Sequence, residues 1–125
     1  MTGPRILLVE DDRYLRRACE TALRQRGFTV ASAVDGAEAL TAIAGSIPDL
    51  VLLDLLMPKV TGLEVLRSLR ASPETRALPV LILSNSSREQ DLEEIKRLGV
   101  AGYYVKSDLS LQELGDRITA LLETT

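Results

Sequence analysis

Apolar residues fall along the chain in two alternating kinds of run, short continuous blocks and longer stretches where they recur every three to four positions. Ile6–Val9, Phe28–Ala33, Leu50–Leu53, Val80–Leu83 and Gly102–Val105 are the blocks, and each is a predicted strand. The first stretch between them, Arg13–Arg26, puts Leu15, Cys19, Ala22 and Leu23 on one helical face and stops at Gly27. Ala37–Ser46 presents Leu40, Ile43 and Ala44, and Pro48 and Asp49 then introduce the third block. A loop through Pro58 and Gly62 leads to a helix carrying Leu63, Leu66 and Leu69. Pro79 opens the fourth strand, and Ser86 or Ser87 is the expected cap of a helix with Leu92, Ile95 and Leu98 inside and Gly99 at its stop. Leu111, Leu114, Ile118, Leu121 and Leu122 stripe the last helix.

Blocks so rich in Val, Leu and Ile imply burial on both faces, the condition of strands in a parallel sheet. Strict alternation with helices then predicts a three-layer α/β sandwich built by right-handed crossovers. Repeats, low-complexity segments and linkers are lacking, so residues 1–125 are expected to be one domain, ordered over about 4–123, without an output domain.

Composition narrows the chemistry. The net charge is −3 with both signs interspersed, which argues against a basic nucleic-acid face and against a polybasic membrane patch. Cys19 is the single cysteine, so neither an internal disulfide nor a cysteine metal cluster can form, and a reducing cytoplasm is expected. On the apolar face of the first helix, Cys19 reads as core. The charged run Arg88–Arg97 reads as a solvated helix face. No apolar run reaches membrane-spanning length, and the start lacks a signal-peptide layout. Histidine is absent, which excludes His-based triads, His metal sites and a phosphohistidine within the chain.

In an open parallel sheet the functional crevice lies beyond the carboxyl ends of the strands. Glu10, Asp11 and Asp12 follow the first strand, Asp54 ends the third, Ser84 the fourth and Lys106 the fifth. The second strand ends near Ala33 with nothing reactive, as suits a sheet edge. Taken singly these residues are ordinary: an acidic turn and helix cap, an aspartate in a βα loop, a capping hydroxyl, a surface lysine. Their joint placement at four strand ends points to a metal-and-phosphate site. Clustered carboxylates repel and call for a cation, and oxygen ligands without His or Cys favour Mg²⁺, with Mn²⁺ acceptable. Asp54 is then a candidate covalent phosphoryl acceptor, with Lys106 as a second positive charge and Ser84 as a hydroxyl donor.

At these residues the sequence resembles, over nearly its whole length, the receiver domains of two-component response regulators. The opening RILLVEDD is similar to the family's first strand and acidic pair, with Glu10 and Asp11 on that pair and Asp12 just outside. PDLVLLDLLMPKVTG matches the phosphorylation segment, LPVLILS the hydroxyl switch position at Ser84, and AGYYVKS the lysine at Lys106 and the aromatic switch position at Tyr103. The resemblance implies a flavodoxin-like (βα)5 fold with strand order 2-1-3-4-5. It also implies a metal held by Asp11, Asp54 and the Leu56 backbone carbonyl, with Glu10 acting through water. Phosphorylation of Asp54 by a histidine kinase or histidine phosphotransfer protein would draw Ser84 toward the phosphoryl oxygens and turn Tyr103 inward, changing the face of the fourth helix, fifth strand and fifth helix. Such a domain is a signalling acceptor, and promotes only its own phosphorylation and dephosphorylation. It would act on a downstream protein and bind neither nucleic acid nor membrane. Val100–Gly102 lacks the acidic residues that DNA-binding regulators often carry before the last strand, so a monomer is expected in the unphosphorylated state, with a dimer through the fourth-helix to fifth-helix face as the alternative.

Some positions depart from the family pattern. Ser107 stands where a proline, commonly cis, is usual; a non-proline cis bond costs about 2.5–4 kcal/mol, so trans geometry or a reshaped loop is expected. Asn85 replaces a small residue beside Ser84, and Leu56 offers no side-chain help to an attacking water. Tyr103 and Tyr104 alternate along a strand, so one is expected to face packing and the other outward, which suits a plain edge tyrosine as well as a switch. The competing reading is a degenerate receiver serving only as an interaction or dimerisation module. A haloacid-dehalogenase-type phosphatase would need a second Asp where Leu56 stands, and a nucleotide binder a glycine-rich phosphate loop that is missing.

Overall fold

The computed structural model describes residues 3–57, 59–85 and 89–123, with backbone alone for 89–91. Five strands, β1 (Arg5–Val9), β2 (Thr29–Ala33), β3 (Leu50–Asp54), β4 (Val80–Ser84) and β5 (Gly102–Val105), alternate with five helices. The helices are α1 (Arg13–Gln25), α2 (Gly36–Gly45), α3 (Gly62–Ala71), α4 (Glu89–Leu98) and α5 (Leu111–Glu123), and a 3-10 turn spans Lys106–Asp108. All strand pairs are parallel, in the order β2-β1-β3-β4-β5, which is the topology expected from the sequence.

Burial on both faces explains the continuous apolar blocks. Leu7, Val9, Val51, Leu53, Val80 and Ile82 point into one core with residues of α2, α3 and α4. Ile6, Leu8, Leu50, Leu52, Leu81 and Leu83 point into the other, closed by Cys19 and Leu23 of α1 and Leu114 and Ile118 of α5. Each buried aliphatic side chain contributes about 1.5–3 kcal/mol of hydrophobic stabilisation, so the two cores tie every helix to the sheet. Cys19 is core, as its position on the helical face predicted, and burial pushes its thiol up to about 11.

Helix ends are set by local chemistry. Asp12 caps α1 by accepting the Tyr14 and Leu15 amides, and Thr61 caps α3 by accepting the Glu64 amide while its hydroxyl donates to the Glu64 carboxylate. At the end of α1, Gly27 takes φ +93, and the Gly27 and Phe28 amides return to the Arg24 and Leu23 carbonyls. That closure uses the Phe28 amide, so β2 begins at Thr29 and not at Phe28 as the apolar pattern suggested. The expected cap of α4 at Ser86 or Ser87 lies outside the described residues, as do Pro58 and Arg88.

Tyr103 and Tyr104 correct a simpler expectation. Both are half-buried, Tyr103 against the α2–α3–α4 core and Tyr104 against the α1–α5 core. Edge strand β5 is covered on both faces, so neither tyrosine is the outward one. The peptide after Lys106 is trans, and the chain winds from it directly into the 3-10 turn.

Two glycines should respond oppositely to alanine. A Cβ on Gly62 would lie 2.2 Å from the Asp54 carbonyl oxygen, whereas one on Gly45 would meet nothing within 4 Å. Urea denaturation should show Gly62→Ala losing about 1–3 kcal/mol and Gly45→Ala gaining about 0.4–1 kcal/mol.

Candidate functional site

Sheet register brings the acidic residues together. Val9 is level with Leu53, so Glu10, whose amide extends the ladder to the Ala33 carbonyl, comes level with Asp54. Asp54 itself is level with Leu83, which puts buried Ser84 one step beyond it. Val105 is level with Ser84, and Lys106 follows it into the same crevice.

Glu10 and Asp54 are 0% and 1% exposed. Lys106 Nζ stands 2.8 Å from Glu10 Oε1, 3.0 Å from Glu10 Oε2 and 3.1 Å from Asp54 Oδ2. Asp54 Oδ1 accepts the Leu56 amide at 3.2 Å, an aspartate turn at the start of the β3–α3 loop. Glu10 Oε2 also accepts the Asp12 amide at 3.0 Å. Arg16 donates to the Glu10 and Asp11 backbone carbonyls at 3.2 and 3.4 Å, which braces the acidic turn from α1.

The electrostatics follow from one ammonium serving two buried carboxylates. Burial, and then the negative charge of Glu10, push the Asp54 carboxyl up to about 7, with Lys106 and the Leu56 amide opposing. Burial also works to depress the Lys106 ammonium, but its hydrogen bond to Glu10 and the field of Asp54 override this and leave its pKa raised.

One carboxylate oxygen from each of Glu10, Asp11 and Asp54 lies within 4.8 Å of the others. Glu10 Oε1 and Asp54 Oδ2 are buried within ion-pairing distance of Lys106, yet neither accepts a hydrogen bond of good geometry. Spare oxygen lone pairs on buried, mutually repelling carboxylates fit a hard divalent cation. Asp11 is exposed at the mouth of this cluster, Leu56 is exposed beside it, and Tyr103 lies in β5, whose end leads to Lys106.

Sequence reasoning passed over the neighbourhood of α2. Asp35 caps that helix by accepting the Glu38 amide at 2.7 Å, and its other oxygen pairs with Lys59 of the β3–α3 loop at 3.5 Å. Asp35 followed three residues later by Glu38 is a legible helix start. Its partner across the fold is not legible in any spacing.

Residues 6–119 match the family model of the response regulator receiver domain. Response regulator MprA of Mycobacterium sp. (strain KMS) is 41% identical over 122 residues, 97% of this chain and 51% of that protein. The chain thus spans about half the length of the curated relatives it matches. The chemotaxis response regulator CheY4 of Vibrio cholerae is 27% identical with a TM-score of 0.86, covering 96% of this chain and 99% of that one. The Mn²⁺-bound form of response regulator Rcp1 is 28% identical with a TM-score of 0.87, covering 98% and 97%. Among the described residues no helix is long and apolar enough to cross a membrane.

The raised Asp54 pKa makes a signed prediction for the metal-free fold. Between about pH 4 and 7 the native state retains a proton that the unfolded chain has released, so stability falls as pH rises through this window and levels off above it. Asp54→Asn removes the effect. In EDTA, urea denaturation at pH 8 should find Asp54→Asn more stable than wild type by on the order of 2–4 kcal/mol, shrinking toward pH 5. Parallel pH profiles for the two proteins would contradict it.

Proposed function

The chain belongs to the response regulator receiver domain family of two-component signalling, and on that premise we propose that Asp54 accepts a phosphoryl group from a histidine kinase or a histidine phosphotransfer protein. The observation that carries this reading is Asp54 itself: buried at a strand end, paired with Lys106 and grouped with two further carboxylates.

Glu10, Asp11, Asp54 and the Leu56 carbonyl are the residues that would hold Mg²⁺ or Mn²⁺. Such an ion supplies the positive charge that keeps the carboxylates ionised and offsets the charge on an incoming phosphoryl group. An Asp54 oxygen forms the new bond to phosphorus as the bond from phosphorus to the donor nitrogen breaks, and that nitrogen keeps the electron pair. Lys106 is held by Glu10 at the rim of the reaction, where its ammonium meets the phosphoryl oxygens without a new charge entering from solvent. Ser84 donates its hydroxyl to the same oxygens, and Tyr103 follows into the space this opens, biasing the face formed by α4, β5 and α5. The chain acts in this reading as a signalling acceptor, with a downstream protein as its target.

Intact mass after incubation with acetyl phosphate and Mg²⁺ should show one phosphoryl adduct on wild type. The adduct should be missing from Asp54→Asn and from a metal-free control. In parallel, Mg²⁺ at about a hundred times its Kd should add about 2.7 kcal/mol to wild-type stability, and much less to Asp54→Asn. Absence of both the adduct and the Mg²⁺ effect would leave an interaction module that does not use this chemistry.

A further inference from the structure

The described residues of the β3–α3 loop are 55–57 and 59–61, and close backbone contacts grip its end. At its end, Gly62 packs so tightly on β3 that a Cβ would stand 2.2 Å from the Asp54 carbonyl oxygen. Two residues earlier in the loop, Gly36 at the start of α2 lets the Val60 carbonyl approach to where a Cβ would be 2.1 Å away. Just before Val60, Lys59 takes φ +67, the left-handed conformation that any residue with a Cβ disfavours. The chain holds Lys59 in that conformation while its ammonium reaches Asp35 Oδ2 at 3.5 Å.

Asp35 is suited to anchor the loop. Its side chain is 9% exposed, and its two oxygens are divided between the Glu38 amide of α2 and the Lys59 ammonium. The Glu38 amide holds its carboxyl below the usual range against the effect of burial, and Lys59 adds to this. The carboxylate is therefore charged wherever the loop lysine can meet it. Lys59 itself is well exposed, so solvent screens the pair and its leverage on the loop is modest.

We propose that Lys59 is a positioning residue: its pairing with Asp35 holds the β3–α3 loop in the course that lays the Leu56 backbone against Asp54, and so raises the affinity of the acidic cluster for a divalent cation. The inference rests on reading Glu10, Asp11 and Asp54 as a metal site.

Through-space charge alone makes a different prediction, and the sign separates the two. Removing the Lys59 charge would tighten cation binding if electrostatics acted alone, and removing the Asp35 charge would weaken it. Positioning requires both substitutions to weaken binding. Asp35→Asn keeps the helix cap, since asparagine caps as well as aspartate, and removes only the charge offered to Lys59.

The test is Mn²⁺ titration of the full chain, followed by water-proton relaxation, for wild type, Asp54→Asn, Asp35→Asn, Lys59→Met, Lys59→Arg and the Asp35→Asn/Lys59→Met double variant. Lys59→Met and Asp35→Asn should each raise the Mn²⁺ Kd about three- to fivefold, in keeping with a screened pair. The double variant should be no weaker than the weaker single, and Lys59→Arg should stay near wild type. Metal-free thermal melts of the Asp35 and Lys59 variants should coincide with that of wild type. Tighter or unchanged binding by Lys59→Met, or a double variant equal to the product of the singles, overturns the positioning role and leaves the metal site standing. Wild-type Mn²⁺ binding that is absent, or that Asp54→Asn does not weaken, removes the metal site and this inference together.

Discussion

Glu10 and Asp54 are withdrawn from water at the carboxyl end of the sheet, and Lys106 alone among the described residues pairs with both. Desolvating a carboxylate is costly unless a counter-charge compensates, and one ammonium cannot fully compensate two. The deficit falls mainly on Asp54, whose carboxyl is pushed toward neutrality. Meeting even this partial compensation constrains the fold. Glu10 follows β1, Asp54 ends β3 and Lys106 follows β5, so three separate strands must end at one level. Parallel pairing through crossover helices achieves that, because every strand then presents the same end to the same crevice.

The sheet alone does not fix the loop over Asp54. That falls to contacts in which backbone meets backbone: Gly62 against the Asp54 carbonyl, Gly36 against that of Val60, and the Leu56 amide on the Asp54 side chain. Such contacts leave little room for side-chain adjustment, which is why glycine stands at both close approaches. The opposite arrangement holds at the far end of the molecule. Arg70 reaches from α3 to the Leu98, Gly99 and Thr75 carbonyls, and the buried Thr75 hydroxyl bonds the Leu69 carbonyl. A long guanidinium there satisfies carbonyls at the end of α4 that the helix cannot satisfy for itself.

Much of this was legible in the sequence because burial on both faces leaves a strong record. Leu50–Leu53 and Val80–Leu83 are uninterrupted in apolar residues, and each strand runs one residue beyond them into the crevice, at Asp54 and Ser84. The strand-end rule then led to Glu10, Asp11, Asp54, Ser84 and Lys106 without a contact map. What it could not do was apportion neighbouring acids. In Glu10–Asp12 three carboxylates stand in a row, and the fold buries the first, leaves the second at the mouth and spends the third on capping α1. Only the twist of the chain out of β1 separates those environments. Tyr103 and Tyr104 were obscure for a related reason, since alternation assigns them to opposite faces but does not tell that both faces of an edge strand are covered.

Asp35 and Lys59 show where reading along the chain reaches its limit. Each has a local meaning, a helix cap and a loop lysine, and neither meaning requires the other. They meet because α2 and the β3–α3 loop share one side of the sheet beside β1 and β3, and because Gly36 lets the two backbones close. Most of the site is therefore held by register and backbone packing, which the apolar pattern encodes strongly. Its charges are balanced by long side chains, Lys106 from the turn after β5 and Lys59 from the loop, whose partners are set by the assembled fold. Rigid geometry with an incomplete charge balance is what makes the crevice responsive: any charge entering it changes the electrostatics at once, while the strands that define it need not move.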